Sequence, residues 1–172
     1  MTPTTKAVLR YGMLIVTAAI LQRGLFSQLR IEGAVPDVLL VLAVAAGLAG
    51  GSDRGAAVGF SSGLAMDLML TTPFGLAAIS YLVAGVVAGW VETAMVRSAR
   101  WLTLVIGAVS AVIGVVVFAV LGTLLGRSDL LDSGLPAVCV VVAVSTAVLV
   151  LPAVRMCRWA DKDLDHLRPV SR

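Results

Sequence analysis

The chain has 172 residues, 59% of them hydrophobic and 13% charged, with a mean hydropathy of +1.02. Soluble domains carry about 25% charged residues, so this composition excludes one. It excludes a disordered chain and a nucleic-acid binder as well, because the net charge of +3 comes from few, scattered Lys and Arg.

An all-α integral membrane protein remains, and with only 5% aromatic residues its Val, Ala, Leu and Gly must be satisfied by lipid and by close helix contacts. A bilayer core of about 30 Å takes about 20 helical residues, and six apolar stretches approach that length. The first spans residues 8–26, behind Lys6 and Arg10. It imitates a secretory signal but lacks a small-x-small site leading into a soluble region, so it is expected to persist as an uncleaved anchor. Residues 36–49 form a short second stretch opened by Pro36 and Asp37, and residues 55–70 a third that carries glycines and Asp67. The fourth covers 74–91, the fifth 101–125 and the sixth 135–154, each bounded by charges or by Gly and Pro. The predicted architecture is a six-transmembrane-helix bundle, one membrane domain over 1–154, followed by a charged cytoplasmic tail over 155–172. The tail mixes basic residues with Asp161, Asp163 and Asp165, which suits a short helix lying at the inner surface.

Orientation follows from the retention of Lys and Arg on the cytoplasmic side. With both termini inside, ten of the thirteen basic residues fall in inner segments, and only Arg23, Arg30 and Arg127 in outer ones. An odd number of spans would part Lys6 and Arg10 from the basic tail. Cys139 and Cys157 lie 18 positions apart on the sixth predicted helix, about 27 Å, too far to bridge each other. They read as small apolar fillers.

The third stretch carries most of the information. Gly55, Gly59 and Gly63 recur every four residues and Asp67 continues the spacing, so all four follow one helix ridge. Glycines so placed let a second backbone approach closely; Gly85/Gly89 and Gly122/Gly126 are single instances of the same spacing. Asp67 is the only acidic residue well inside a predicted span. A carboxylate near the bilayer centre costs about 2.5 to 3.5 kcal/mol, so it should face protein. It lies 13 residues, about 20 Å, outward of Arg54; Arg23 lies 13 residues outward of Arg10; Asp37 opens the second stretch on the same side. If the first three helices are neighbours, these groups share a layer. An ion pair between Arg23 and a carboxylate is the expected contact, with interfacial snorkelling of Arg23 and Asp37 as the alternative. For Asp67 a buried structural contact is favoured over a proton or substrate relay, since no second deep acidic or His residue continues one.

Catalytic patterns are weak. Ser61 formally sits in a G-x-S-x-G sequence, but the only histidine, His166, is in the tail. That histidine and the separated cysteines offer no zinc or haem site, and no phosphate-binding or dinucleotide fingerprint occurs. Asp37 and Asp67 could form a carboxylate dyad, yet the Asn-containing motifs of lipoprotein signal peptidases are missing. No catalytic, cofactor or metal site is expected.

The ordered series Pro36-Asp37-Val38-Leu39-Leu40, then residues 59–68 with Gly59, Phe60, Gly63, Leu64, Asp67 and Leu68, then Pro73-Phe74-Gly75-Leu76 resembles the MreD family of rod-shape-determining proteins. That family has a Pro-Asp before an aliphatic run, a Gly-Phe with a later Gly-Leu and Asp-Leu, and a Pro-x-Gly turn. The match covers about a third of the chain. It implies a bacterial plasma-membrane, non-enzymatic subunit of the cell-elongation machinery that binds MreC. It also implies links to RodA, a class B penicillin-binding protein and cytoplasmic MreB, and a fold similar to the S components of energy-coupling-factor transporters. Pro36 and Gly75 would be helix-start and turn residues, Gly59 and Gly63 close-packing points, Asp67 a buried polar anchor, and Pro73 part of the turn. The glycine ridge is expected to line a groove for one partner helix. A small-solute-binding S-component-like subunit is the competing expectation; Thr71 and Thr72 with Asp67 are its candidate residues, although the loop at 126–134 is short.

Overall fold

The computed structural model describes residues 3–24, 35–69, 74–94, 100–126 and 135–162. Six helices occur among them: α1 (Pro3–Gly24), α2 (Val38–Gly50), α3 (Ser52–Asp67), α4 (Leu76–Ala94), α5 (Arg100–Leu124) and α6 (Leu135–Asp161), with no strand among the described residues. The all-α architecture and the order of elements are therefore as expected. Four helices, α1, α4, α5 and α6, are long and apolar enough to cross a membrane. By that measure α2 and α3 fall short, with 13 and 16 residues.

The reason for the short α2 is its position. It packs against each of the other five helices, and every residue except Val38 and Ala49 is buried. A helix sheathed by protein has no face to match to lipid, so about 20 Å of length suffices. Such a helix is apolar all round rather than striped, and VLLVLAVAAGLAG is that sequence. The outer helices show the opposite pattern. Val8, Met13, Val16 and Ile20 on α1, Val105, Val109, Val116 and Val120 on α5, and Val140, Val144 and Val148 on α6 are all exposed, as befits surfaces whose solvent is hydrocarbon.

A single residue, Gly51, joins α2 to α3. Its φ of +88° lies where only glycine is unstrained, and its N–H donates to the Gly47 carbonyl at 2.8 Å. The turn folds α3 back along α2, and α4 then packs against both.

The first half of α1 and the last turns of α6 meet near the α2–α3 turn. The Arg10 guanidinium stands 5.0 Å from the Trp159 ring centroid and donates to the Ala160 carbonyl at 3.4 Å. Tyr11 donates its hydroxyl to the Cys157 carbonyl at 3.4 Å, and Arg54 forms an ion pair with Asp161. The sixth helix thus continues seven residues past Val154, to Asp161, instead of giving way to a separate tail at 155. It survives Pro152, and it carries Arg155 and Arg158 outward while Cys157, Ala160 and Asp161 turn inward. The rest of the expected tail, with Asp163, Asp165 and His166, lies outside the described residues.

Candidate functional site: a polar layer at the start of α4

At the other end of the bundle, four helices bring polar side chains to the first turns of α4. Asp67 closes α3 and is buried. Its Oδ1 accepts from the Ala77 N–H at 3.0 Å, and its Oδ2 from Gly75 and Ala78 at 2.9 and 3.1 Å. Those N–H groups stand at the N-terminus of α4, where a helix has no intrahelical acceptors for its first amides and where its dipole favours a negative group. Asp67 is therefore the N-terminal cap of a helix it does not belong to. Gly75, at φ +97°, supplies the turn that aims these amides. Residues 70–73, including Thr71, Thr72 and Pro73, lie outside the described residues.

Asp37 does the same service for its own helix. As N-cap of α2, its Oδ1 accepts from the Leu40 N–H at 3.0 Å, the usual reach of a cap to the third helical residue. Its Oδ2 accepts from the Tyr81 hydroxyl, one turn along α4 from Ala77. The two aspartates thus tie α2 and α3 to the same stretch of α4. Pro36 precedes the cap, as a helix-start residue should.

Gln22 was not singled out by sequence, and it completes the layer from α1. Its Nε2 donates to the Pro36 carbonyl at 3.0 Å and its Oε1 accepts from the Val38 N–H at 2.9 Å. One buried amide thus satisfies the backbone on both sides of Asp37. The available signal was a neutral amide late in an apolar run. Tyr81, also missed, is one of two tyrosines in the chain, and a buried tyrosine hydroxyl generally finds a partner. Arg23 reaches the layer too, donating to the Met69 carbonyl at 3.4 Å. Amides and a tyrosine hydroxyl reach the oxygens of both aspartates.

The glycine ridge has a definite mate. A Cβ on Gly55 would run into the Gly85 carbonyl, one on Gly59 into the backbone of Tyr81 and Leu82, and one on Gly63 into Ala77 and Ala78. Gly47 of α2 meets the backbone of Gly85 and Gly89, and Gly89 that of Gly51 and Ser52. The ridge is a packing face, but α4 of the same chain fills it. This corrects the expectation of a groove open to a partner helix: the second half of the pair, Gly85 with Gly89, lies further along the same sequence.

Chemically, the arrangement holds helices together. Each aspartate oxygen has a donor: helix amides on both oxygens of Asp67, and the Leu40 N–H and the Tyr81 hydroxyl on those of Asp37. Ser61 is exposed on α3 and donates to the Ala57 carbonyl at 2.8 Å. Among the described residues no three His, Cys, Asp or Glu side chains cluster as a metal site would require. The class these features define is an all-α protein whose four helices long and apolar enough to cross a membrane pack, with α3, around a buried α2. No family model, no curated protein and no solved structure matches the chain.

Proposed function

We propose that the chain is a multi-pass scaffold in the bacterial plasma membrane, an MreD-like subunit of the cell-elongation machinery. In this reading it crosses the bilayer six times with both termini cytoplasmic. It binds MreC and positions RodA and a class B penicillin-binding protein, with MreB on the cytoplasmic side. The observation that carries the reading is that Asp37, Gly59, Gly63, Asp67 and Gly75, five of the positions that carry the resemblance, serve one junction, the packing of α2 and α3 on α4. Side chains so committed suit a rigid platform better than a reaction centre. The short α2 and α3 are compatible with six crossings because protein, not lipid, surrounds α2 and a local thinning of the bilayer costs little.

With the glycine ridge filled by α4, a partner helix has to use an outward face. Photocrosslinkers at Val16, Val109 and Val148 sample the exposed sides of α1, α5 and α6. In living cells MreC is expected in the adducts from one of these faces and absent from the other two. Capture of no elongation protein from any of the three, in a correctly inserted chain, would sink the proposal.

A further inference from the structure

All three tryptophans of the chain stand at the end of the bundle that holds the α2–α3 turn. Trp90 follows Gly89, which packs on the backbone of Gly51 and Ser52. Trp159 lies two residues before Asp161, the partner of Arg54, and its carbonyl accepts from Arg10 at 3.4 Å. Trp101 is the second residue of α5, which starts six residues after α4 ends and therefore within about 20 Å of it. Trp90, Trp159 and Trp101 are 70%, 49% and 65% exposed. The opposite rim is different. Its exposed large apolar side chains, Leu68, Phe74, Leu124 and Leu125, carry no polar atom.

We infer that Trp90, Trp101 and Trp159 bind the phospholipid head-group layer of one leaflet and set the depth of the bundle from that end. An indole has an apolar body and one N–H donor, so it gains most at the boundary where hydrocarbon meets phosphate and ester oxygens. A leucine or phenylalanine side chain has no group to place there and can stay submerged. Charge agrees. Lys6, Arg155, Arg158 and Lys162 are exposed at the tryptophan end, against a single exposed acid among the described residues, Asp53, and such cations suit a phosphate layer. The consequence reaches the far end. With the α2–α3 turn held at the head groups, α3 has 16 residues, about 24 Å, in which to reach Asp67. A hydrocarbon core is about 30 Å thick, so the Asp67 layer is submerged, where an unpaired carboxylate is least tolerated and where each of its oxygens has a donor. The inference rests on insertion in a bilayer and not on which proteins the chain assembles with.

The test is tryptophan fluorescence of the full chain reconstituted in phosphatidylcholine vesicles, with flotation checking insertion separately. No other indole contributes, so wild-type emission reports this end alone. Lipid brominated near the ester end of its acyl chains is expected to quench the emission more than lipid brominated near the methyl end, and more than aqueous iodide. Trp90→Phe, Trp101→Phe and Trp159→Phe, combined in pairs, leave one indole each, and every such variant should give the same order. Stronger quenching of wild type by the deeper bromine puts the indoles in the hydrocarbon and overturns the inference. So does emission sensitive to iodide alone, which leaves them in water, or to no quencher, which buries them between two copies of the chain. A folded single-tryptophan variant that departs from the order overturns the inference for that residue.

Discussion

Glycines line two seams of this bundle, and they behave differently. On α3, a side chain at Gly55, Gly59 or Gly63 would strike the backbone of α4. On α5, a Cβ at Gly107 would meet a methyl of Val150 on α6 at 3.1 Å. Backbone cannot rotate aside, whereas a side-chain neighbour can yield by a few tenths of an ångström. The α3–α4 seam is therefore closed by main-chain contact and by the Asp67 cap, and the α5–α6 seam by ordinary side-chain packing. The contrast teaches that a glycine pattern marks a structural joint only where its mate is backbone.

The largest effect is expected where the closed seam loses its cap. Asp67→Ala would strand up to three N–H groups, each costing about 1 to 3 kcal/mol when buried. A loss of roughly 4 kcal/mol is expected in unfolding measurements in detergent, with Asp67→Asn recovering part of it through its remaining carbonyl oxygen. Equal stability of Asp67→Ala and wild type would mean that the seam does not need the cap. Next comes Gly55→Ala. Overpacking against a rigid neighbour costs about 1 to 3 kcal/mol or more, so about 3 kcal/mol is expected, and the same should hold for Gly85→Ala on the facing helix. The two substitutions touch one contact, and a double variant should cost clearly less than their sum. Full additivity would place the two glycines in separate contacts.

A smaller effect is expected at α1, which joins the core through fewer contacts. Gln22→Leu removes two hydrogen bonds and leaves the Pro36 carbonyl and the Val38 N–H without their partner. About 2 kcal/mol is expected. Amide exchange should rise at Val38 while Ala77 and Ala78 stay protected, since Asp67 is untouched. Equal exchange at both sites would show that the polar layer opens as one unit.

These differences also explain what the sequence could and could not disclose. Six elements in order were legible because each is an apolar run between charges or turn residues, and the burial of Asp67 was legible because a carboxylate in such a run demands a protein partner. The identity of that partner was not, since Gly75, Ala77 and Ala78 contribute only backbone N–H groups, which no side-chain pattern reveals. The ridge on α3 was visible as a spacing, but its mate could be assigned to α4 only once the Gly51 turn and the α3–α4 connection had set the register. The end of α6 was misplaced because Arg155 and Arg158 read as a membrane boundary. Asp161, two turns beyond Val154, is held inside by Arg54 of α3, a contact remote in sequence.

The smallest effect is the most discriminating. Gly107→Ala places a methyl 3.1 Å from the Val150 Cγ2, and valine in a helix has essentially one χ1 rotamer, so α5 and α6 must part slightly. That costs about 1 kcal/mol, the lower end for an extra methylene in a packed interior. Alanine in a helix interior recovers about 0.8 to 1 kcal/mol over glycine. The two terms cancel, and a stability change within about 0.5 kcal/mol of zero is expected. Gly55→Ala gains the same propensity and still loses, because its obstacle is the Gly85 carbonyl of the chain itself. If both variants proved equally damaging, the α5–α6 seam would be as tightly closed as α3–α4, and the division of the bundle into a main-chain joint and a side-chain joint would fail.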